Sequence, residues 1–320
     1  GASFDKIPGT TNCTEVASSN ADNFVWLATA SGLKKWQVGD AALTSVAAAS
    51  GGCFALQVSK NGQVIVAAYA ANKTYVSNDG GSSFIDKSGT SANNLVPNGA
   101  ARIEYAISPT QNNGAYSIYA TRTNSNLMSM HVSHDNGQTW NQFVGASGPP
   151  NEFDIYRDQG TYNSILSVDP TDNERLLIGG IDVWEWKQTV NNPPSGGFEK
   201  ISLWFVNPSS PTYVHADNHE MKWDANNRLY IGNDGGVGVS NNFGETWYPS
   251  NRGYNVTQFY GIAFDRTGAV MGGAQDNGTQ YFAGVAGGIN GSTQSQGGDG
   301  AFTMMDQGSD KYYISNYVYN

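Results

Sequence analysis

The sequence predicts an all-β chain, and three observations predict it: a turn-rich composition, a loop motif that occurs three times, and a strand–turn–strand unit that occurs seven times. Gly contributes 39 of 320 residues, aromatic side chains 12% and charged side chains only 14%. Turn formers and stacking rings are plentiful, while the Lys, Glu and Arg that exposed helices use are scarce. That profile favours short strands joined by tight turns.

The loop motif has the form S-x-D/N-x-G-x-S/T-W/F. Its defining residues are Ser77, Asp79, Gly81 and Phe84, then Ser133, Asp135, Gly137 and Trp140, then Ser240, Asn242, Gly244 and Trp247. Each type has a mechanical role. The Asp or Asn side chain is expected to accept bonds from backbone N–H groups two residues on, and Gly permits positive φ. The terminal ring buries itself between neighbouring elements, so the turn staples its own hairpin.

The second repeat reads apolar alternation, polar turn, apolar run. It occupies residues 16–28, 56–67, 105–120, 165–179, 221–232, 262–273 and 302–315, whose ends are spaced by 39, 53, 59, 53, 41 and 42. Such steps match the four-stranded blades of a β-propeller with variable loops. The expectation is a single propeller domain over residues 1–320 with about seven blades. Each unit supplies strands A and B of a blade, and each loop motif joins strands C and D. Residues 33–36, 183–186 and 279–282 are weaker C-strand candidates. No amphipathic helix or linker is evident, and residues 148–151 and 191–197 read as long interblade loops. The seventh unit runs to Asn320 without C and D strands after it. A ring closes to hide its edges, so the domain is expected to be incomplete at its C-terminus unless residues before Val16 finish the last blade.

The three motifs resemble the Asp-box, or bacterial neuraminidase repeat, of sialidases, xyloglucan-cleaving glycoside hydrolases and sortilin-type receptors. A closer likeness lies in residues 215–219 (HADNH), 232–236 (GNDGG), 258–261 (QFYG), 275–280 (QDNGTQ) and 297–300 (GGDG). In that order they are similar to sortilin-like repeat proteins exported by bacteria, many of them large. The resemblance implies a propeller in a secreted, extracellular or cell-surface setting, with other domains of a longer chain as partners. It does not imply one activity, because the motif is a structural staple shared by enzymes and binders.

Charge narrows the partners. A net charge of −10 and a pI near 4.7 exclude a phosphate backbone, which needs clustered Lys and Arg, so no nucleic acid is expected. No apolar run approaches the ~20 residues of a membrane helix, and no charged-then-apolar leader opens the chain. Cys13 and Cys53 stand at matching places in the first two units, where adjacent blades bring them close, and a disulfide is expected. Sequons at Asn12, Asn72, Asn255, Asn277 and Asn290 matter only in a source that glycosylates asparagine.

Propeller topology gathers the D–A and B–C loops on one face and the motif turns on the other. Arg102, Glu104, Tyr162, Asp217, His219, Gln258, Tyr260 and Asp299 precede or begin A strands, and Arg122, Asp182, Asp234, Asp276 and Asn277 fall in B–C loops. All are expected to ring the channel mouth, and all but Glu104 and Asp182, together with His215, are the candidate ligand-binding residues. A glycosidase needs two carboxylates roughly 5–9.5 Å apart, and Asp182, Asp217, Asp234, Asp276 and Asp299 are the candidates. Asp and Asn beside Gly are also ordinary turn formers. Sialidase chemistry is excluded, because only Arg102 and Arg122 are on that face, while Arg175, Arg228 and Arg266 fall in A–B turns. Trp184, Trp186, Trp204 and Tyr213 can stack on sugars or pack between blades.

His215, Asp217 and His219 alternate by two, so an extended segment points all three the same way. That makes a weak metal candidate, closed by Asp234, beside the plainer reading of a hydrogen-bonded cluster. Calcium or another metal has no EF-hand or nonapeptide spacing to specify it, so no cofactor is expected. The first functional expectation is a recognition module for a glycan or surface protein. The alternatives are a glycoside hydrolase acting on β-glucan-type polymers and a structural part of a large surface protein.

Overall fold

The structure, a computed structural model, describes residues 6–10, 12–19, 21–145, 155–251, 257–283, 291–309 and 312–317. Six four-stranded antiparallel sheets follow one another, each with its strands in chain order. The first holds β1 (Cys13–Ser18), β2 (Phe24–Thr29), β3 (Gly32–Gln37) and β4 (Thr44–Ser45). The second holds β5 (Cys53–Val58), β6 (Ile65–Tyr69), β7 (Lys73–Ser77) and β8 (Ile85–Asp86), followed by a short parallel pair, β9 (Ser88–Gly89) and β10 (Val96–Pro97). The third holds β11 (Arg102–Asn112), β12 (Ala115–Thr123), β13 (Leu127–Ser133) and β14 (Asn141–Val144). The fourth holds β15 (Ile165–Asp169), β16 (Asp172–Gly179), β17 (Val183–Asn191) and β18 (Pro194–Lys200). The fifth holds β19 (Asn218–Trp223), β20 (Leu229–Asn233), β21 (Gly236–Ser240) and β22 (Tyr248–Pro249). The sixth holds β23 (Phe259–Phe264), β24 (Val270–Ala274), β25 (Gly278–Phe282) and β26 (Ser292–Gln296), and β27 (Gly300–Met305) pairs with β28 (Tyr313–Tyr317).

The chain divides into two compact units. One carries the first five sheets; the other carries the sixth sheet, the β27–β28 pair and residues 234–236. In the first unit, β1, β5, β11, β15 and β19 lie side by side in chain order. Consecutive sheets share an apolar layer, as alternating side chains on facing sheets require. Trp26, Ala28 and Leu33 meet Leu56, Ile65 and Ala67. Val66 and Val76 meet Ile103, Ile118 and Trp140, and Met130 and Val132 meet Leu176, Ile178 and Trp186. Leu177 and Val183 meet Leu229, Ile231 and Trp247.

All seven repeat units form antiparallel strand pairs, from β1–β2 to β27–β28. The three C-strand candidates are β3, β17 and β25. Residues 191–197 differ from expectation. They are no loop between sheets but the tip and return strand of the β17–β18 hairpin, with Asn191 opposite Pro194 and Lys187 opposite Gly197. Pro194 opens its strand, where proline is tolerated, and so does not break the pairing. Residues 148–151 lie outside the described residues.

The three motif turns close on one hydrogen-bond scheme. In the second sheet Ser77 Oγ donates to Asp79 Oδ1 (2.7 Å), Gly81 N–H donates to Ser77 Oγ (2.9 Å) and Ser83 N–H donates to Asp79 Oδ1 (2.9 Å). The third sheet repeats it through Ser133, Asp135, Gly137 and Thr139. The fifth does so through Ser240, Asn242, Gly244 and Thr246. The carboxylate or amide thus accepts from the backbone four residues on, not two; the nearer N–H is turned to the serine hydroxyl. Gly81, Gly137 and Gly244 have φ of +82°, +80° and +90°. A Cβ there strikes Trp26, Val76 or Ile201, so each turn presses against the preceding sheet. Trp140 and Trp247 are buried and Phe84 is partly so.

Cys13 and Cys53 are not bridged, contrary to expectation. Both begin the first strands of adjacent sheets, yet Cys53 is buried in the layer between them while Cys13 is exposed. Each thiol instead faces a carbonyl of its own strand, Cys13 that of Glu15 (3.3 Å) and Cys53 that of Ala55 (3.7 Å).

Candidate functional site

The first strands of the five sheets in the first unit wall a cavity of about 650 Å³. Glu15 reaches it from β1, Phe54 and Gln57 from β5, Arg102 and Glu104 from β11, Ser167 from β15, and His219, Glu220, Lys222 and Trp223 from β19. Register shifts lie just ahead of Glu15, at Cys13/Glu15, and ahead of Glu220, at Asn218/Glu220. Such bulges turn a side chain out of strict alternation, here into the hollow.

Glu15 and Glu104 are the two cavity carboxyls that burial perturbs. Glu15 Oε2 accepts the Leu56 N–H (2.6 Å) and its Oε1 the Gln57 amide (2.9 Å), both from the neighbouring first strand. Burial nevertheless pushes it up to about 8, and the Glu104 charge pushes the same way. Burial also raises Glu104, against the pull of Arg102, whose Nε lies 2.6 Å from Glu104 Oε1. Arg102 is fixed in turn by the carbonyls of Thr161 (3.1 Å) and Tyr162 (2.8 Å). Glu220 pairs with Lys222 at 2.6 Å on the exposed side. The wall therefore brings together two carboxyls that burial raises, a guanidinium held against one of them, an amide and the rings of Phe54 and Trp223.

Of the residues singled out from sequence in this unit, Arg102, Glu104 and His219 line the cavity. Tyr162 meets the His219 ring edge-to-face at 4.7 Å. Asp217 accepts the Asn163 amide (2.8 Å) and has φ of +63°. That left-handed residue breaks the extended run on which the His215, Asp217, His219 alignment depended, and among the described residues those three do not converge on one point. His215 Nδ1 lies 3.1 Å from the Ala216 carbonyl.

Asp182 does not stand open. It is buried, receives Lys200 Nζ (3.0 Å) and the Trp204 N–H (2.9 Å), and has Arg157 at 3.9 Å. Arg122 is likewise buried, inside β12 and not in an open loop. Arg175 sits at the opposite end of its sheet, bonded to Asp169 and Glu185, and Arg228 pairs with Asp224 at a hairpin turn. Among the four rings, Trp184 and Trp186 belong to the core and Tyr213 is partly buried. Trp204 is 41% exposed and meets Phe205 edge-to-face at 6.0 Å.

In the second unit, Asp299 Oδ1 accepts the Asp276 N–H (2.9 Å), and Asp276 is left-handed at φ +57°. The Asn277 amide donates to the carbonyls of Asp234 (3.2 Å) and Gln275 (3.0 Å). Both aspartates thus serve the β24–β25 turn. Gln258 and Tyr260 are exposed at the start of β23. Of the sequons, Asn72 is buried and donates to the Ala100 carbonyl (2.8 Å), while Asn255 and Asn290 lie outside the described residues. No helix among the described residues is long and apolar enough to cross a membrane.

Glu15 and Glu220 escaped the sequence reading because each looks like a solvated residue on a strand. A signal was present: Glu15, Glu104 and Glu220 pair with Ala28, Thr121 and Gly232, the last residues of their repeat units or one beyond. An acid recurring at that one place in three first strands marks a shared wall.

No protein-family model and no curated protein sequence matches the chain. Solved structures do. The Cps50 (Swd1) β-propeller domain of Myceliophteria thermophila aligns with a TM-score of 0.51 at 11% identity, over 98% of this chain and all of that one. The GH74 enzyme of Niastella koreensis gives 0.50 at 14% identity, over 96% of this chain but 42% of the enzyme. Hydrazine synthase of Kuenenia stuttgartiensis gives 0.50 at 12% identity, over 99% and 95%. The fold is that of a β-propeller. At these identities the likeness concerns fold alone.

Proposed function

We propose that the chain is a recognition module of a secreted or cell-surface protein, binding a glycan in the cavity of its first unit. In this reading the three motif turns are Asp-boxes and the chain is kin to exported sortilin-like repeat proteins. The observation that carries it is a cavity wall that sets the Glu15 carboxyl and the Arg102–Glu104 contact beside the rings of Phe54 and Trp223. Sugars present alternating donors and acceptors with apolar ring faces, and such a wall answers both. The test is calorimetric titration with a panel of soluble polysaccharides and oligosaccharides. Binding that disappears in Glu104→Gln supports the reading; binding that survives it places the ligand elsewhere.

A second reading, glycoside hydrolysis, is favoured by one feature, the Glu15 carboxyl at about 8 beside a second carboxyl. A general acid needs a raised pKa of this kind, and one structural likeness is to a GH74 enzyme. Against it, both Glu15 oxygens already accept bonds from β5 and Glu104 is clamped by Arg102. Release of reducing ends from a β-glucan panel, lost in Glu15→Gln, would reverse the order of the two readings.

A further inference from the structure

We propose that a small inorganic anion of halide size binds between the second and third sheets, held by Arg122 of β12 and His131 of β13. Arg122 is 6% exposed, and a guanidinium does not shed its proton in a protein. Its NH1 donates to Ser129 Oγ (2.8 Å) and its NH2 to the Asn98 carbonyl (2.9 Å), both neutral acceptors. Its Nε is buried and has no acceptor among the described residues. Buried cations are ordinarily paired, and the same unit shows how: Arg175 meets both Asp169 and Glu185. Among the described residues Arg122 has no such carboxylate.

His131 supplies the second donor. It is fully buried, with Nε2 3.0 Å from Ser129 Oγ. The Ser129 hydroxyl receives an N–H from Arg122, and we assign its own proton to His131 Nε2, which leaves the ring proton on Nδ1. Burial and the adjacent Arg122 charge push the imidazole down to about 4, which keeps it neutral. Nδ1 is buried and has no acceptor among the described residues. Register sets Arg122 opposite Ser129 and Ala120 opposite His131, so Arg122, Ser129 and His131 share one face of the third sheet.

Two idle N–H donors, one on a permanent cation, therefore flank one hydroxyl. A water there satisfies the hydrogen bonds and leaves the charge uncompensated; an anion does both. Sulfate or phosphate calls for more donors than these two, which selects a monatomic ion. Neither residue lines the inner-strand cavity, so this site stands independently of the proposed glycan site.

The experiment is thermal unfolding of the full chain in sodium bromide and in sodium gluconate at equal ionic strength, with crystals soaked in bromide. Bromide is expected to raise the Tm by several degrees in a saturable way, with one anomalous peak between Arg122 Nε and His131 Nδ1. Arg122→Met is expected to abolish the bromide-specific shift. Should that variant fail to fold, His131→Phe keeps the cation, removes one donor and is expected to weaken the bromide midpoint at least tenfold. Equal Tm in the two salts, an undiminished shift in either variant, or a peak-free site overturns the proposal.

Discussion

Asp79 and Glu15 lie in neighbouring sheets of one unit, and their carboxyls are driven in opposite directions. Asp79 sits at a surface corner and is held down at about 2, chiefly by the Ser83 hydroxyl, then by the Ser83 N–H and the Ser77 hydroxyl. Glu15 also receives two hydrogen bonds, yet stands near 8, because burial and the Glu104 charge outweigh them. The difference lies in who supplies the surroundings. The corner carries its own donors within five residues of sequence, so its chemistry travels with the motif. The cavity draws its wall from β1, β5, β11, β15 and β19, and no local window contains it.

The comparison breaks most severely where a corner loses the ring behind its donors. Trp140 is fully buried, and its Nε1 donates to the Gly137 carbonyl of its own turn (3.1 Å). Trp140→Ala is expected to cost about 3–5 kcal/mol, measured by urea unfolding. Phe84→Ala, at the partly exposed equivalent, is expected to cost less than half of that. Equal losses at the two sites would mean that the turn and not the ring carries the staple.

Glu15 gives the next largest effect. Its folded pKa of about 8 stands above its ordinary unfolded value, so the folded form holds a proton that the unfolded chain has released. Stability is therefore full below about pH 4.5, falls as pH rises towards about 8, and levels above it. The fall is on the order of a few kcal/mol. Glu15→Gln, which carries no charge, is expected to flatten that slope, so that the variant overtakes the parent in stability near pH 9. Parallel stability curves for the two proteins would show that Glu15 ionises freely.

How far the sequence is readable follows the same division. The strand pairs were legible because period-two alternation and polar turns are local, and the corners because Ser, Asp and Gly at fixed offsets build one turn. Even there the acceptor geometry was misplaced: Asp79 reaches Ser83, since the Ser77 hydroxyl occupies the nearer N–H. The candidate aspartates were misjudged for a nonlocal reason. Whether Asp182 is open depends on Lys200 and Trp204 in a later strand and loop, which close over it. Arg122 reads in sequence as a rim residue, and is covered by the loop through Asn98. Cys13 and Cys53 match in repeat position, but repeat position does not fix which way a side chain turns.

Asn242 lets the corner scheme be sharpened. It stands where the other two motifs have Asp and accepts the same bonds from Thr246 N–H (3.0 Å) and Thr246 Oγ1 (3.1 Å). The scheme thus closes on acceptor geometry without a charge. Asp135→Ala is expected to cost about 1–2 kcal/mol and Asp135→Asn less than about 0.5 kcal/mol, by chemical unfolding at pH 7. A larger loss for Asn would assign the corner's strength to charge.

The smallest expected effect is the most local. If donors alone hold Asp79 down, Ser83→Ala, which deletes its leading donor but keeps the N–H, raises the Asp79 pKa towards the ordinary carboxylate value, while the Glu15 titration stays where it is. The stability tied to Asp79 is present above its unfolded pKa and is lost as pH falls through about 2. In Ser83→Ala that loss begins at a higher pH. Carbon-detected carboxyl titration reads both groups in one sample. Movement of Glu15 together with Asp79 would show that corner and cavity are electrostatically one system.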